Sequence, residues 1–360
     1  QLGVYLCFNE AGYSDKVQRF DLDVPENNEI EVLIPGLNIA TDYEYWWVIW
    51  DDETKTEKGD KLTYTTNDPY AQPKEVSAAG ADLSAGGTAN CYIVPASGAY
   101  KFKMTKGNSS EPVGNVASVR VLWESFGTAV SPKPFELISA AGMDGEYALF
   151  EVPQDYKEGN AVIAAYDAAG TILWSWHIWV VDFDPEQTGC KLISGAKVMD
   201  RNLGALSVIP EDKGAMTTDY SAYGLYYQWG RKDPFLNASF IVENYVTYLP
   251  HAKSTISWTS IVPAYPWYGT LDYATSNPTT PISVPYMPGN YDWLYNSSSN
   301  LTDKTRWTDS NSPKSIYDPC PAGYRVPEYY YFTGLTATNG KGESGKGVKF
   351  TVAEGVEAVY

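Results

Sequence analysis

Histidine is almost missing from this chain: two residues, His177 and His251, stand among 360. Cysteine is scarce as well, at four, and Cys7, Cys91, Cys190 and Cys320 lie far apart. No finger-type or thioredoxin-type spacing exists, which argues against a zinc site built on His and Cys, and no metal is assigned. No glycine-rich phosphate loop and no serine-hydrolase motif occurs, so neither a cofactor nor a catalytic residue is assigned. Positive charge is short, with 26 Lys and Arg against 44 Asp and Glu; the net charge of -18 argues against nucleic acid and anionic membrane as partners. No apolar run is long enough to span a membrane, and no signal peptide is visible. The start at Gln1, running straight into a strand-like Val4 to Phe8, reads as the interior of a longer protein.

What is abundant is the aromatic ring and the turn residue. There are 29 Tyr, 12 Trp, 30 Gly and 23 Pro, while hydrophobic residues make up 44% and charged ones 19%. That balance is globular, and the turn residues point to a mainly β chain of two or three domains. The four cysteines are compatible with one or two disulfides in an oxidising compartment, and equally with free buried thiols.

Residues 1–67 alternate with period two over Gly3 to Phe8, Lys16 to Val24, Tyr43 to Trp50 and Lys61 to Thr66, with a polar tip at 51–54. The corner formed by Gly36, Leu37, Thr41 and Tyr43 resembles that of fibronectin type III modules, so a partial β-sandwich is expected. A turn-rich linker follows from Asn67 to Pro73. Residues 68–187 then read as a second, Ig-like β-sandwich, with strands near 89–94, 98–102, 118–124, 147–152 and 161–167. Asp167 to Gly170 forms a hairpin turn into 172–183, and this last and most hydrophobic strand is expected to be central. His177 inside it reads as a packed core residue, and His251 as a loop residue. Asp182, Asp184 and Glu186 fall on one side of an extended chain, which suits either calcium or a solvated acidic linker.

Three blocks dominate residues 188–360. They are Val198 to Ala205 (VMDRNLGA), Gly224 to Phe235 (GLYYQWGRKDPF) and Tyr317 to Pro327 (YDPCPAGYRVP). Each mixes rings with Arg, Asp and Gly or Pro, a combination that suits a loop-rich fold held by stacked rings and buried Arg–carboxylate pairs. Arg325 is expected to be the buried cation, Asp219 to Trp229 a short helix, and Lys191 to Asp200 the first strand. In this order the blocks resemble the Fibrobacter succinogenes major paralogous domain of Bacteroidetes surface proteins, and the preceding A-N-C-Y-I-V and W-S-W-H-I-W segments resemble a β-sandwich module often found before it. The resemblance implies an α+β, C-type-lectin-like fold for residues 188–360. It also implies a continuation to a terminal Arg-Cys, so the domain reads as truncated, and Cys320 as the partner of a cysteine beyond Tyr360.

Between 241 and 311 the chain is polar, Pro-rich and full of rings, without lasting periodicity. Long irregular segments inside a compact domain are usually functional or disordered, and so many rings argue against disorder. Trp267, Tyr268, Trp293 and Tyr295 have polar or turn-forming neighbours, so they are expected to be exposed and to stack against sugars. The E-P-N, Q-P-D and W-N-D elements of calcium-dependent lectins are missing. For an enzyme, Asp233, Glu243, Asp272 and Asp292 are the available carboxylates, but nothing pairs them as a glycosidase requires. The oxidases that share a lectin-like core need a close cysteine pair, which Cys320 lacks. The expectation is therefore an exported, non-enzymatic adhesin or pilus-associated protein at the cell surface, on the outer membrane or a fimbrium. Its partners would be host or dietary glycans, surface proteins or pilus subunits. A purely structural fimbrial or surface subunit is the first alternative, and a polysaccharide-active enzyme the second.

Overall fold

The computed structural model describes residues 2–11, 17–22, 32, 37, 41–51, 55–57, 59–71, 74–191, 195, 197–208, 220–236, 241–242, 245–246, 252–256, 262–283, 292–295, 306–308, 314–328, 336–337, 349–353 and 356–359. The fold is mainly β, with several sheets. It divides into two compact units, Gln1–Ala71 and Gln72–Tyr360. Gly36 of the expected corner, most of the polar tip and His251 lie outside the described residues.

The described strands of the first unit form one antiparallel sheet. Strand β1 (Leu2–Glu10) lies between β2 (Gln18–Leu22) and β3 (Asp42–Asp51), and β3 also pairs with β4 (Lys55–Glu57) and β5 (Leu62–Thr65). The period-two pattern puts Leu6, Phe8 and Tyr43 in the core, where Phe8 stacks on Phe20 at 5.6 Å and meets Tyr43 at 6.1 Å.

The second unit contains two four-stranded sheets that face each other. One runs β10 (Ala140–Asp144), β11 (Tyr147–Val152), β8 (Gly98–Lys103), β6 (Ala81–Asp82). The other runs β7 (Cys91–Val94), β13 (Ile172–Val180), β12 (Gly159–Tyr166), β9 (Ser118–Ser125). Rings fill the space between them. Phe102 of β8 stacks on Tyr92 of β7 at 4.6 Å and meets Trp176 of β13 edge-on at 5.1 Å. Such contacts each add about 0.5–1.5 kcal/mol beyond the buried area. The β12–β13 hairpin closes as its residues dictate: Asp167 Oδ1 accepts from the N–H groups of Ala169 and Thr171, and Gly170 takes a φ of 83°.

β13 is central, and it is buried on both faces. Trp176 looks toward the opposing sheet. Ser175, His177 and Trp179 look the other way, onto a layer built from residues 199–208, 220–236 and 314–326. Residues 188–360 thus contribute a covering layer to the same compact unit as the sandwich.

Two local expectations need correction. The residues described between 220 and 229 form a turn and a two-residue strand β16 (Tyr226–Tyr227), paired with β17 (Pro234–Phe235), and not a helix. Gly224 sits at a φ of 70°, and the Leu225 N–H is spent on Leu203 O at 2.8 Å, so the helical ladder cannot run through them. Lys191 to Asp200 is likewise no single strand. After a short helix α1 (Pro185–Thr188), two two-residue strands, β14 (Cys190–Lys191) and β15 (Lys197–Val198), pair as a ribbon. Among the described residues, no helix is long and apolar enough to cross a membrane.

Candidate functional site: an exposed ring cluster on a buried polar frame

The ring-rich segment owes its shape to the second sequence block. Arg231 is buried, and its guanidinium donates to Gln228 Oε1 and Thr280 O at 2.8 Å, Asn277 O at 3.0 Å and Ala274 O at 3.1 Å. Those carbonyls belong to helix α2 (Leu271–Ser276) and the turn after it. Helix carbonyls left over at a C-terminus need donors, and a planar fork supplies several at once. Burial lowers the Arg231 pKa to about 10, which keeps the group charged at neutral pH. At the other end of α2, Thr270 Oγ1 caps by accepting from the Tyr273 N–H at 3.0 Å.

Just before that cap the chain turns tightly. The N–H groups of Tyr268 and Gly269 both reach Tyr265 O, at 3.0 and 2.7 Å. The turn lifts Trp267 to 63% exposure, with Tyr265 at 48%. Trp267 lies 5.4 Å from Tyr265 and 6.1 Å from Tyr268, and Tyr268 lies 5.0 Å from Tyr273. Tyr295, 36% exposed, joins the group because its N–H donates to Gly269 O at 2.8 Å. A Cβ at Gly269 would sit 2.8 Å from that of Tyr295, so only glycine permits the approach.

Of the four residues expected to be exposed, Trp267 and Tyr295 are, while Tyr268 is half-buried with Trp267 on one side and Tyr273 on the other. Trp293 does not stand beside them in solvent. It is 3% exposed and forms the floor, its indole N–H donating to Trp229 O at 2.7 Å and its ring lying 5.4 Å from Arg306 and 5.7 Å from Arg231. A ring flanked by two guanidinium groups and with its N–H satisfied is stable in the interior, which polar sequence neighbours do not reveal. Tyr265 and Trp229 are exposed rings that the sequence reading missed, and Trp229 is the less expected of the two. It sits in a block that reads as structural, yet it is 42% exposed.

No protein-family model matches this sequence. No curated protein matches it either. Among solved structures, the I-band fragment I67–I69 from titin aligns over 49% of this chain and 54% of its own length, at 12% identity and a TM-score of 0.14. The chain thus spans about half the length of that fragment, and a similarity of this size carries no argument about fold or function.

The remaining candidate residues are mostly committed to the frame. Asp233 and Lys232 form a buried pair at 2.6 Å, bridged by Ser175 of β13. Asp292 pairs with Arg306 at 2.6 Å, also buried. Asp272 is exposed in the first turn of α2, and Glu243 lies outside the described residues. Arg325 is not the buried cation of the third block: its side chain is 22% exposed and reaches the exposed Glu328 at 3.4 Å. The cation that ties this block together is the partly buried Lys314, just before it in sequence. It donates to Asp318 Oδ1 at 2.6 Å and to the carbonyls of Cys320 and Tyr324 at 2.9 and 2.8 Å. Asp184 caps α1, and Glu186 bonds Lys197 and the Tyr324 hydroxyl. Among the described residues no group of three or more His, Cys, Asp or Glu could hold a metal ion.

Proposed function

We propose that this chain is an exported cell-surface binding protein, an adhesin or a pilus-associated subunit, that contacts glycans through the rings around Trp267. In this reading residues 188–360 are a lectin-like domain laid onto an Ig-like sandwich, and the first unit is a fibronectin-like spacer. The observation that carries it is the cluster of Tyr265, Trp267, Tyr268 and Tyr295, held out on a turn that is itself fixed by Gly269 and by Arg231 beneath α2. Exposed rings on a rigid support suit stacking against the C–H faces of sugars, because little conformational freedom is lost on contact.

Two of the carboxylates available to an enzyme, Asp233 and Asp292, are each buried against a cation. That supports binding over hydrolysis. A second reading, a structural fimbrial or surface subunit without a ligand, draws support from the number of block residues spent on internal bonds.

The test is a glycan array probed with the whole chain and with Trp267→Ala. Binding to a set of host or dietary glycans that is lost in the variant is the expected result. An array with no signal would favour the structural subunit, and unchanged binding by the variant would remove the site from this loop.

A further inference from the structure

The rings around Trp267 are not spread along a strand. A strand sends alternate side chains to one face, so rings at alternate positions lie side by side as a flat ladder. Here Tyr265, Trp267 and Tyr268 all leave one tight turn. Tyr265 O accepts from the N–H groups of Tyr268 and Gly269, the Tyr265 N–H donates to Pro263 O at 2.8 Å, and the Thr270 N–H donates to Tyr268 O at 2.9 Å. Side chains that leave a turn fan outward, and the ring planes record it. Trp267 is tilted 43° from Tyr265 and 72° from Tyr268, and Tyr268 stands 66° from Tyr273.

We infer that this cluster takes a soluble oligosaccharide by a short stretch of its sugar units, and that it is not built for the flat face of a crystalline polysaccharide. The inference rests on the reading of the cluster as a glycan site and narrows the ligand of that site. A pyranose stacks by laying its apolar C–H face along an aromatic ring. A crystal face of cellulose or chitin offers such faces in one plane, so it gains only from protein rings that share that plane. With Trp267 flat on such a face, Tyr265 meets it at 43° and Tyr268 stands close to edge-on. Of these three rings, one stacks.

A short soluble chain is different because its units turn about the bonds between them. Successive units can then follow rings that point in different directions. Tyr265, Trp267 and Tyr295 are the exposed rings of the cluster, at 48%, 63% and 36%. Their phenol hydroxyls can both donate to and accept from a sugar. The tilt is held from below: Tyr268 is gripped edge-on between Trp267 and Tyr273, at 6.1 and 5.0 Å. Levelling Trp267 with its neighbours would give up that contact. A fixed, fanned set of rings is preorganised for a turned ligand.

The experiment uses the whole chain in two assays. One is retention on microcrystalline cellulose and on α-chitin. The other is an array printed with oligosaccharides of cellulose, chitin, xylan, mannan and poly-N-acetyllactosamine, each series running from monosaccharide to hexasaccharide. At least one soluble series should bind, and Trp267→Ala should abolish the signal. The signal should be nearly complete at the trisaccharide, with less than about twofold further gain to the hexasaccharide, because no further ring engages the added units. Neither crystalline polysaccharide should retain the chain. A gain of about tenfold or more from trisaccharide to hexasaccharide would mean a longer row of stacking rings. That gain, or retention on a crystalline polysaccharide, would overturn the inference alone if Trp267→Ala removes it. Binding that survives Trp267→Ala, or no binding to any series, would instead remove the glycan site from this loop and the inference with it.

Discussion

His177 Nε2 lies 2.9 Å from Asn160 Oδ1, and the rest of the contact follows from where Asn160 spends its other end. The Asn160 amide nitrogen donates to Gly204 O at 2.9 Å, so its oxygen faces the imidazole and Nε2 must carry the proton. Nδ1 is then the acceptor, with the Cys91 thiol at 3.3 Å and the Tyr227 hydroxyl at 3.4 Å placed to donate to it. A neutral histidine thus joins β13 to the N-L-G-A block. The Cys–His–Asn grouping has the composition of a nucleophilic site, but burial drives the thiol pKa far up and holds the imidazole neutral, so it is a structural joint.

Burial lowers the His177 pKa to about 3. Between that value and the ordinary histidine value near ~6.5, the unfolded chain binds a proton that the native one does not, so stability falls as pH falls. The expected slope from this residue is about 1.4 kcal/mol per pH unit below ~6.5, and none above it. His177→Gln removes the titrating group. Urea midpoints at about pH 4.5, 5.5 and 7 should therefore converge for the variant relative to the parent. Parallel pH curves would show that the imidazole is not held neutral.

The thiols give a second prediction. Cys91 and Cys320 are buried and free, and burial raises both pKa values, with Asp318 beside Cys320 adding to its shift. Neither should react with a disulfide reagent in the native state, and both should react once guanidinium unfolds the chain. Peptide mapping after labelling assigns the sites. Rapid native labelling of Cys91 would contradict its position behind Tyr227 and Pro321.

The sequence foretold the strands better than the covering layer, for a physical reason. Period-two alternation and the apolar run through Trp174, Trp176 and Trp179 report burial directly, so β9, β11, β12 and β13 fall where the pattern puts them. The layer of residues 199–208 and 220–236 is held by side-chain bonds to backbone carbonyls, such as Asn160 to Gly204 and Arg231 to Ala274, and these leave no periodic trace. The ring spacing at Ala222, Leu225, Tyr226 and Trp229 imitates a helix until Gly224 at positive φ is considered. Exposure of rings was legible where turn residues surround them, as at Trp267 beside Pro266 and Gly269. It was not legible at Trp293, whose burial depends on Arg231 and Arg306, far away in sequence.

Arg231→Lys should be costly although it preserves charge. An ammonium has three donors on a flexible stem and cannot reach four acceptors arranged around a planar fork. Leaving the C-terminal carbonyls of α2 and Gln228 underbonded is expected to cost about 2–4 kcal/mol. Hydrogen exchange should report it locally, as faster exchange of amides in 271–283 and 293–295 than in β12 and β13. A uniform loss of protection across the unit, or none, would mean that Arg231 does not frame the ring cluster.

The two tryptophans of the ring segment separate stability from binding. Trp267 is 63% exposed, so Trp267→Ala should alter stability by no more than about 0.5 kcal/mol. Trp293 is 3% exposed beneath it, and Trp293→Ala should cost about 3–5 kcal/mol by opening a cavity between Arg231 and Arg306. If the rings bind glycan, both variants lose array signal, but only Trp293→Ala lowers the melting temperature. Trp293→Phe adds a finer test, since it keeps most of the volume and removes the N–H that Trp229 O accepts. Trp229 O keeps its longer bond from the Arg306 guanidinium at 3.4 Å, so the stability loss should be about 0.5–1.5 kcal/mol, the cost of one hydrogen bond, with binding retained. Binding that fails in Trp293→Phe while the fold is intact would make the indole N–H, and the position it gives Trp229, part of the contact surface itself.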